Sequence, residues 1–375
     1  MTRWLGPVVA GLVDPELAPE VVSPPYDLYT PAERARHARA HPRSFLNGTP
    51  SEGDDPDTDQ AGRRQQASAY LSRELAAGTW RFERECLYVL RLESHGHVQT
   101  GVVGDVPASH FPGLIRPHEH TRPARVDDLA HYLAEVGYGS SPVGLTYRRS
   151  PEIDAIVTLV TDRGPDLDAT LPDGDRHLVW RIDTPEVIDG LLAAFADLPS
   201  AYIIDGHHRV AATVQRAADP STPAGRFLAA VFPDDDLKVY PIHRWLAATW
   251  TAPTTAPGGA CTPRPGVAVA VTRDGDWEID LGGGDDDATA LARLVLGPRF
   301  GVFDERIDPR IAFVPGYPGP EGLRRRVATA GGVGFLLHPA TVEAVMRISD
   351  QGGVMPPKAT FFYPKPRSGV FLVKR

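Results

Sequence analysis

The stretch Ala201-Tyr202-Ile203-Ile204-Asp205-Gly206-His207-His208-Arg209-Val210-Ala211-Ala212 decides the reading of this chain. Its first four residues are an apolar run of strand length, and Asp205-Gly206 is a turn dipeptide. Val210, Ala211, Val214 and Ala217 then fall at helical spacing. Strand, tight turn and helix N-terminus in that order aim unsatisfied backbone N–H groups, and the positive end of a helix dipole, at one point. Gly206 permits the close backbone approach that a phosphate needs. His207, His208 and Arg209 are read as side-chain donors in the first turn, a placement that opposes the dipole unless an anion sits among them. The plainer reading makes Asp205 an N-cap beside two surface histidines.

Working outward, the 375 residues are 42% hydrophobic and 23% charged, the values of a globular protein, with more chain than one core usually fills. Gly 36 and Pro 37 make it rich in loops. The 48 acidic residues outnumber the 39 basic ones, for a net charge of −9, so no general field draws in a nucleic-acid backbone and any anion site must be built locally. Cys86 and Cys261 alone cannot make a disulfide framework or a cysteine zinc site, which fits a reducing cytoplasm. Trp4 to Val13 is apolar but short and interrupted by Pro7, so it is not read as a signal peptide, and no run is long enough for a membrane helix.

Local signals give the order of elements. Thr30-Pro31-Ala32-Glu33 is a capping box that opens a helix to about Ala40, and Thr184-Pro185-Glu186 opens another that ends before Pro199. Strands are expected at 86–92, 98–103, 156–160, 177–182, 226–232, 267–271 and 334–337 from β-branched and aromatic content. The acidic stretch 51–60 is read as a solvated loop or as the start of a helix at its end, and 251–266 and 282–287 as breaks. The pattern is mixed α/β or α+β.

Other blocks carry candidate chemistry. His118-Glu119-His120-Thr121 sets an acid between two imidazoles: Glu119 could deprotonate a substrate hydroxyl or hold Mg²⁺ through a water, with His118 and Thr121 on the substrate side. Neighbouring side chains on an extended chain point apart, so no metal is assigned to these histidines. Lys358, Thr360, Lys365 and Arg367, interleaved with Phe361, Phe362 and Tyr363, suit either an anion clamp or an edge strand. Tyr26 and Asp27, next to a helix start, are candidates for substrate binding. His243 and Arg244 follow Pro241 at a strand end.

These residues carry a resemblance. The YIIDGHHRVAA segment resembles the DGHHR signature of ParB/sulfiredoxin-like proteins, among them free-serine kinases, where this turn binds nucleotide phosphates. The blocks SPPYD (23–27), HPRSFL (41–46), HEHT (118–121), DGHHR (205–209), PIHR (241–244) and MPPKATFFYPKPRSG (355–369) stand in the order of the DUF1015 family, with Ala359 where the last block usually has serine. The resemblance implies a ParB/sulfiredoxin-like nucleotide-binding core at 176–250, an N-terminal region 1–175 and a C-terminal region 251–375. It implies a nucleotide on Gly206 to Arg209 and, through the serine kinases, a small hydroxylated metabolite such as L-serine as acceptor. ATP or ADP with Mg²⁺ is the expected cofactor, Glu119 and Asp205 are the catalytic candidates as general base or Mg²⁺ ligand, and Lys358, Thr360 and Lys365 are expected on the phosphates. A phosphoester hydrolase on the same anion site, or a nucleotide-binding protein without catalysis, remains the alternative. The lack of a helix-turn-helix argues against duplex DNA as a partner.

Overall fold

The computed structural model describes residues 3–51, 57–217, 222–251, 261–283, 286–356 and 358–375. Half of the acidic stretch 51–60, most of 251–266 and the centre of 282–287 lie outside them. The chain divides into two units, Met1–Leu237 with Pro364–Arg375, and Lys238–Tyr363, so the divisions fall elsewhere than at 175 and 250.

The first unit is built on an eight-stranded mixed sheet. Its order is Ile115–Arg116, Ala201–Asp205, Val143–Tyr147, Arg226–Pro233, His97–Pro107, Leu87–Ser94, Arg176–Ile182 and Leu167–Thr170. Only the pairs Ala201–Asp205 with Ile115–Arg116 and Arg226–Pro233 with Val143–Tyr147 are parallel. Alternate residues of the central strands, such as Leu87 and Val89 or Ala229 and Val231, join Trp4, Leu191 and Phe195 in one core. The expected mixed α/β class is what the chain adopts.

Most of the expected strands form, with shifted ends, but 156–160 does not. Ile153, Ile156, Val157 and Val160 stand on the helix Pro151–Thr161, which begins with proline and carries Glu152 and Asp154 in its first turn. Their i, i+3, i+4, i+7 spacing puts all four against the sheet's core. That period outweighs their β-branched chemistry. The capping box forms as expected: Thr30 Oγ1 accepts from Glu33 N at 3.2 Å, and Thr30 N donates to Glu33 Oε2 at 2.8 Å.

A second sheet of the first unit runs Trp80–Phe82, Ala10–Val13, Phe371–Lys374 and Tyr138–Gly139. Its third strand comes from the end of the chain and pairs antiparallel with Ala10–Val13 and Tyr138–Gly139. The segment leading into it is tied at each step. Ser23 N donates to Ser368 O at 2.9 Å, Gly369 N to Ser140 Oγ at 2.6 Å, and Trp80 Nε1 to Gly369 O at 2.8 Å. Gly369 has φ +100°, and a Cβ there would meet Val21 O at 2.9 Å, so only glycine fits.

In the second unit the sheet order is Asp276–Asp280, Val267–Val271, Val333–Leu336, Ile242–Leu246 and Ile311–Pro315, antiparallel throughout. Ala268 and Ala270 enter one apolar cluster and Val269 and Val271 the other, so the sheet is covered on both faces. Arg244 is wholly buried, pairs with Glu305 at 2.7 Å and donates to the carbonyls of Ile242 and Lys358. His243 Nδ1 accepts from Leu337 N at 3.2 Å.

Candidate functional site around the Asp205–Arg209 turn

The buried strand Ala201–Asp205 passes through Gly206 into the helix His207–Arg216 as the sequence suggests. Gly206 is the N-cap at φ +97°, and no side chain caps the helix. A Cβ at this position would come within 2.8 Å of Arg209 Nε, besides holding a backbone conformation that other residues rarely adopt. Glycine is thus needed for the turn and for the Arg209 side chain folded back over it, before any ligand is considered. Arg209 Nη1 donates to Ser141 O at 2.8 Å and Pro142 O at 2.6 Å, while Nη2 pairs with Asp205.

The two histidines differ from the expected donors. His207 Nε2 accepts from the backbone N–H of His118 at 3.3 Å, and His208 Nε2 accepts from that of Arg122 at 3.0 Å. A backbone N–H can only donate, so both imidazoles are neutral with the proton on Nδ1. Burial and the neighbouring His118 hold His207 well below the usual imidazole range. Neutral rings also remove the expected conflict with the helix dipole. His207 Nδ1 faces Glu119 Oε2 at 3.9 Å. His118 is buried, its ring edge-on to that of His207 at 4.6 Å, and burial lowers it to about 4. Glu119 and Thr121 are half-buried and His120 is exposed.

On the opposite flank of Asp205 stands Lys365, delivered by the C-terminal segment. Its Nζ lies 2.8 Å from Asp205 Oδ1 and 2.6 Å from Asp27 Oδ2. Burial would push the Asp205 carboxyl up, but Lys365 and Arg209 outweigh it and hold the group below its usual value. Burial would likewise lower Lys365, and the two carboxylates reverse that. Asp27 is the more open partner, its side chain 43% exposed against 25% for Asp205. Tyr26 belongs to the same group: burial, then the Asp27 charge, raises its phenol.

The structure therefore brings together Tyr26, Asp27, Asp205, Gly206, Arg209 and Lys365, with His118, Glu119, His207 and His208 as an adjoining set. Lys358 and Thr360 belong to the second unit, where Lys358 is exposed at φ +56°. Arg367 is no open clamp: it is buried in pairs with Asp173 at 2.7 Å and with Asp175. Ser141 and Pro142, whose carbonyls seat Arg209, carry no sequence signal, because backbone acceptors are indifferent to side-chain type. Among the described residues no three His, Cys, Asp or Glu side chains group as a metal cage.

Lys365→Met is expected to lower stability by roughly 3 kcal/mol, the low end of what removing one partner of a buried pair costs, because Asp205 loses a counter-charge while Arg209 remains. Thermal melting checks this, and a melting temperature equal to the parent's would show the pairs to be incidental.

The fold is similar to that of a free serine kinase in complex with AMP, at 14% identity and TM-score 0.42, covering 73% of this chain and 91% of that one. It is similar to a mutant free serine kinase in complex with ADP, at 15% identity and TM-score 0.42, covering 73% and 92%. A conserved hypothetical protein from Pyrococcus furiosus is similar at 15% identity and TM-score 0.37, covering 72% and 95%. No curated protein matches the chain. Residues 8–256 match the family described as a protein of unknown function, DUF1015. That match takes in the PPYD, HEHT, DGHHR and PIHR blocks and well over half of the sequence: this chain belongs to the DUF1015 family.

Proposed function

We propose that the chain is a nucleotide-dependent phosphotransferase acting on the hydroxyl of a small metabolite, with a free amino acid such as L-serine the first candidate. The observation that supports this best is the uncapped first turn of the helix His207–Arg216. Its first residue, His207, faces the carboxylate of Glu119, and Asp205 just before it pairs with Lys365, which also pairs with Asp27. Phosphoryl transfer asks for little covalent chemistry from a protein; it needs a cradle for the phosphates, a counter-charge and a group that orients the nucleophile.

Each part has a candidate here. The backbone N–H groups at the start of the helix, with its dipole, receive phosphate oxygens. Lys365 supplies the charge, and Asp205 fixes it in place together with Arg209. Glu119 is the proposed base: it is open to a substrate and faces the Nδ1–H of His207. Tyr26, Asp27, His118 and Thr121 line the acceptor side of this reading. Mg²⁺ bound with a nucleotide needs only one or two carboxylates from the protein, and the half-exposed Asp27 fits that donor set. The ion would neutralise charge on the transferred phosphoryl group.

Phosphorus NMR of the protein with Mg-ATP or Mg-ADP and a panel of hydroxy amino acids tests the reading. A new phosphomonoester that appears only with an acceptor is expected. Inorganic phosphate formed regardless of acceptor would make the chain a hydrolase, and saturable nucleotide binding without turnover would make it a binding protein. No nucleotide binding at all would end the proposal.

A further inference from the structure

We infer that His207 and His208 are positioning residues, which staple the segment 118–122 to the first turn of the helix and thereby set where Glu119 stands. This rests on the reading of Glu119 as base. The two N–H groups they accept, from His118 and Arg122, are the two ends of the segment that carries Glu119, His120 and Thr121. Consecutive residues on a helix point about 100° apart, so the two rings reach two separate points of one loop. A single attachment would let the segment pivot, and two remove that freedom.

The segment is prepared for such a hold. Pro117 precedes it and Pro123 opens the helix Pro123–Val136, so the N–H groups at both flanking positions are missing and the chain there is stiff. No side chain caps that helix. His207 works at both ring nitrogens: Nε2 holds the loop and Nδ1 faces the Glu119 carboxylate. A lysine or arginine in either place could not accept an N–H, and a phosphate-binding cation would leave the loop untied.

The test compares alanine with glutamine at each position, because Gln Oε1 can accept where Nε2 did. In His208→Ala the Arg122 amide is expected to exchange with solvent about tenfold faster or more, the worth of one hydrogen bond, and His208→Gln to restore protection. Turnover with nucleotide and acceptor is expected to fall about tenfold in the alanine variant with the nucleotide KM nearly unmoved, and to recover in the glutamine variant. The pair His207→Ala and His207→Gln reports the His118 amide in the same way. Because His207 is buried and its alanine variant could fail to fold, the half-buried His208 carries the decision.

Unchanged Arg122 exchange in His208→Ala overturns the staple. Faster exchange with parental turnover, in an enzyme that Glu119→Gln disables, overturns the positioning role. If Glu119→Gln itself retains full turnover, the base reading fails by that result alone, and the exchange arm still decides the staple.

Discussion

Glu119→Gln is expected to lower turnover by about 10²–10⁴-fold, the usual contribution of a general base, while nucleotide affinity stays at the parent value. A serine-type hydroxyl is a poor nucleophile at neutral pH, and the amide keeps the size of the side chain but takes no proton. Asp205 is the rival, since it stands at the turn itself. Its geometry speaks against a role as base: Lys365 and Arg209 both hold its carboxylate, and a carboxylate stabilised in that way has little tendency to accept a proton. Asp205→Asn is therefore expected to lose stability and nucleotide affinity together, because Arg209 loses its paired carboxylate and Lys365 one of its two. Steady-state assays of both variants, beside their melting curves, separate the roles. A fully active Glu119→Gln together with a dead, normally stable Asp205→Asn would move the base to the turn.

Acid is expected to destabilise the first unit before its carboxylates titrate. Burial lowers His118 to about 4 and His177 to about 3, and pushes His207 down as well. In the unfolded chain these groups return to roughly 6.5. Between the folded and unfolded values the unfolded state binds more protons, so stability rises with pH across that window and is lost as pH falls from about 6.5 toward 4. At pH 5 each such histidine has cost about 2 kcal/mol, so His118 and His177 together remove about 4 kcal/mol from a total that is typically ~5–15. Asp205, with its depressed value, adds its own loss only below the ordinary aspartate range, so the two effects do not overlap. Melting temperatures from pH 7.5 to 5 check this. His177→Leu is the control: neither of its ring nitrogens has a partner among the described residues, so an apolar replacement should flatten the pH dependence at little cost. A melting temperature independent of pH over that range would show the imidazoles to be solvated.

What the sequence discloses is local, and what it hides is long-range. Thr30 and Glu33 are three residues apart, and the strand, Gly206 and helix are contiguous, so period and caps suffice for them. Lys365 meets Asp27 and Asp205 across separations of 338 and 160 residues, which no spacing rule can foresee. The block from Met355 to Gly369 looks continuous, yet its residues through Tyr363 belong to one unit and those from Pro364 to the other. The His207-His208 doublet shows a subtler limit. Imidazole both donates and accepts, and only the partner, here a backbone N–H, decides which. At 156–160 β-branched composition conceals a helical period that begins three residues earlier, at Ile153.

The return of the chain to the first unit at Pro364–Arg375 bears on how the protein is made. Everything else in that unit has been synthesised by Leu237, and 126 residues of the second unit follow before the strand Phe371–Lys374 exists, an interval of roughly 6–25 s at common elongation rates. Throughout it the strand Ala10–Val13 offers an unpaired edge to its surroundings, Asp205 and Asp27 lack their lysine, and Asp173 and Asp175 lack Arg367. Nascent chains at this stage are the natural clients of a holding chaperone, and a message truncated after Tyr363 would yield a product that never leaves that state.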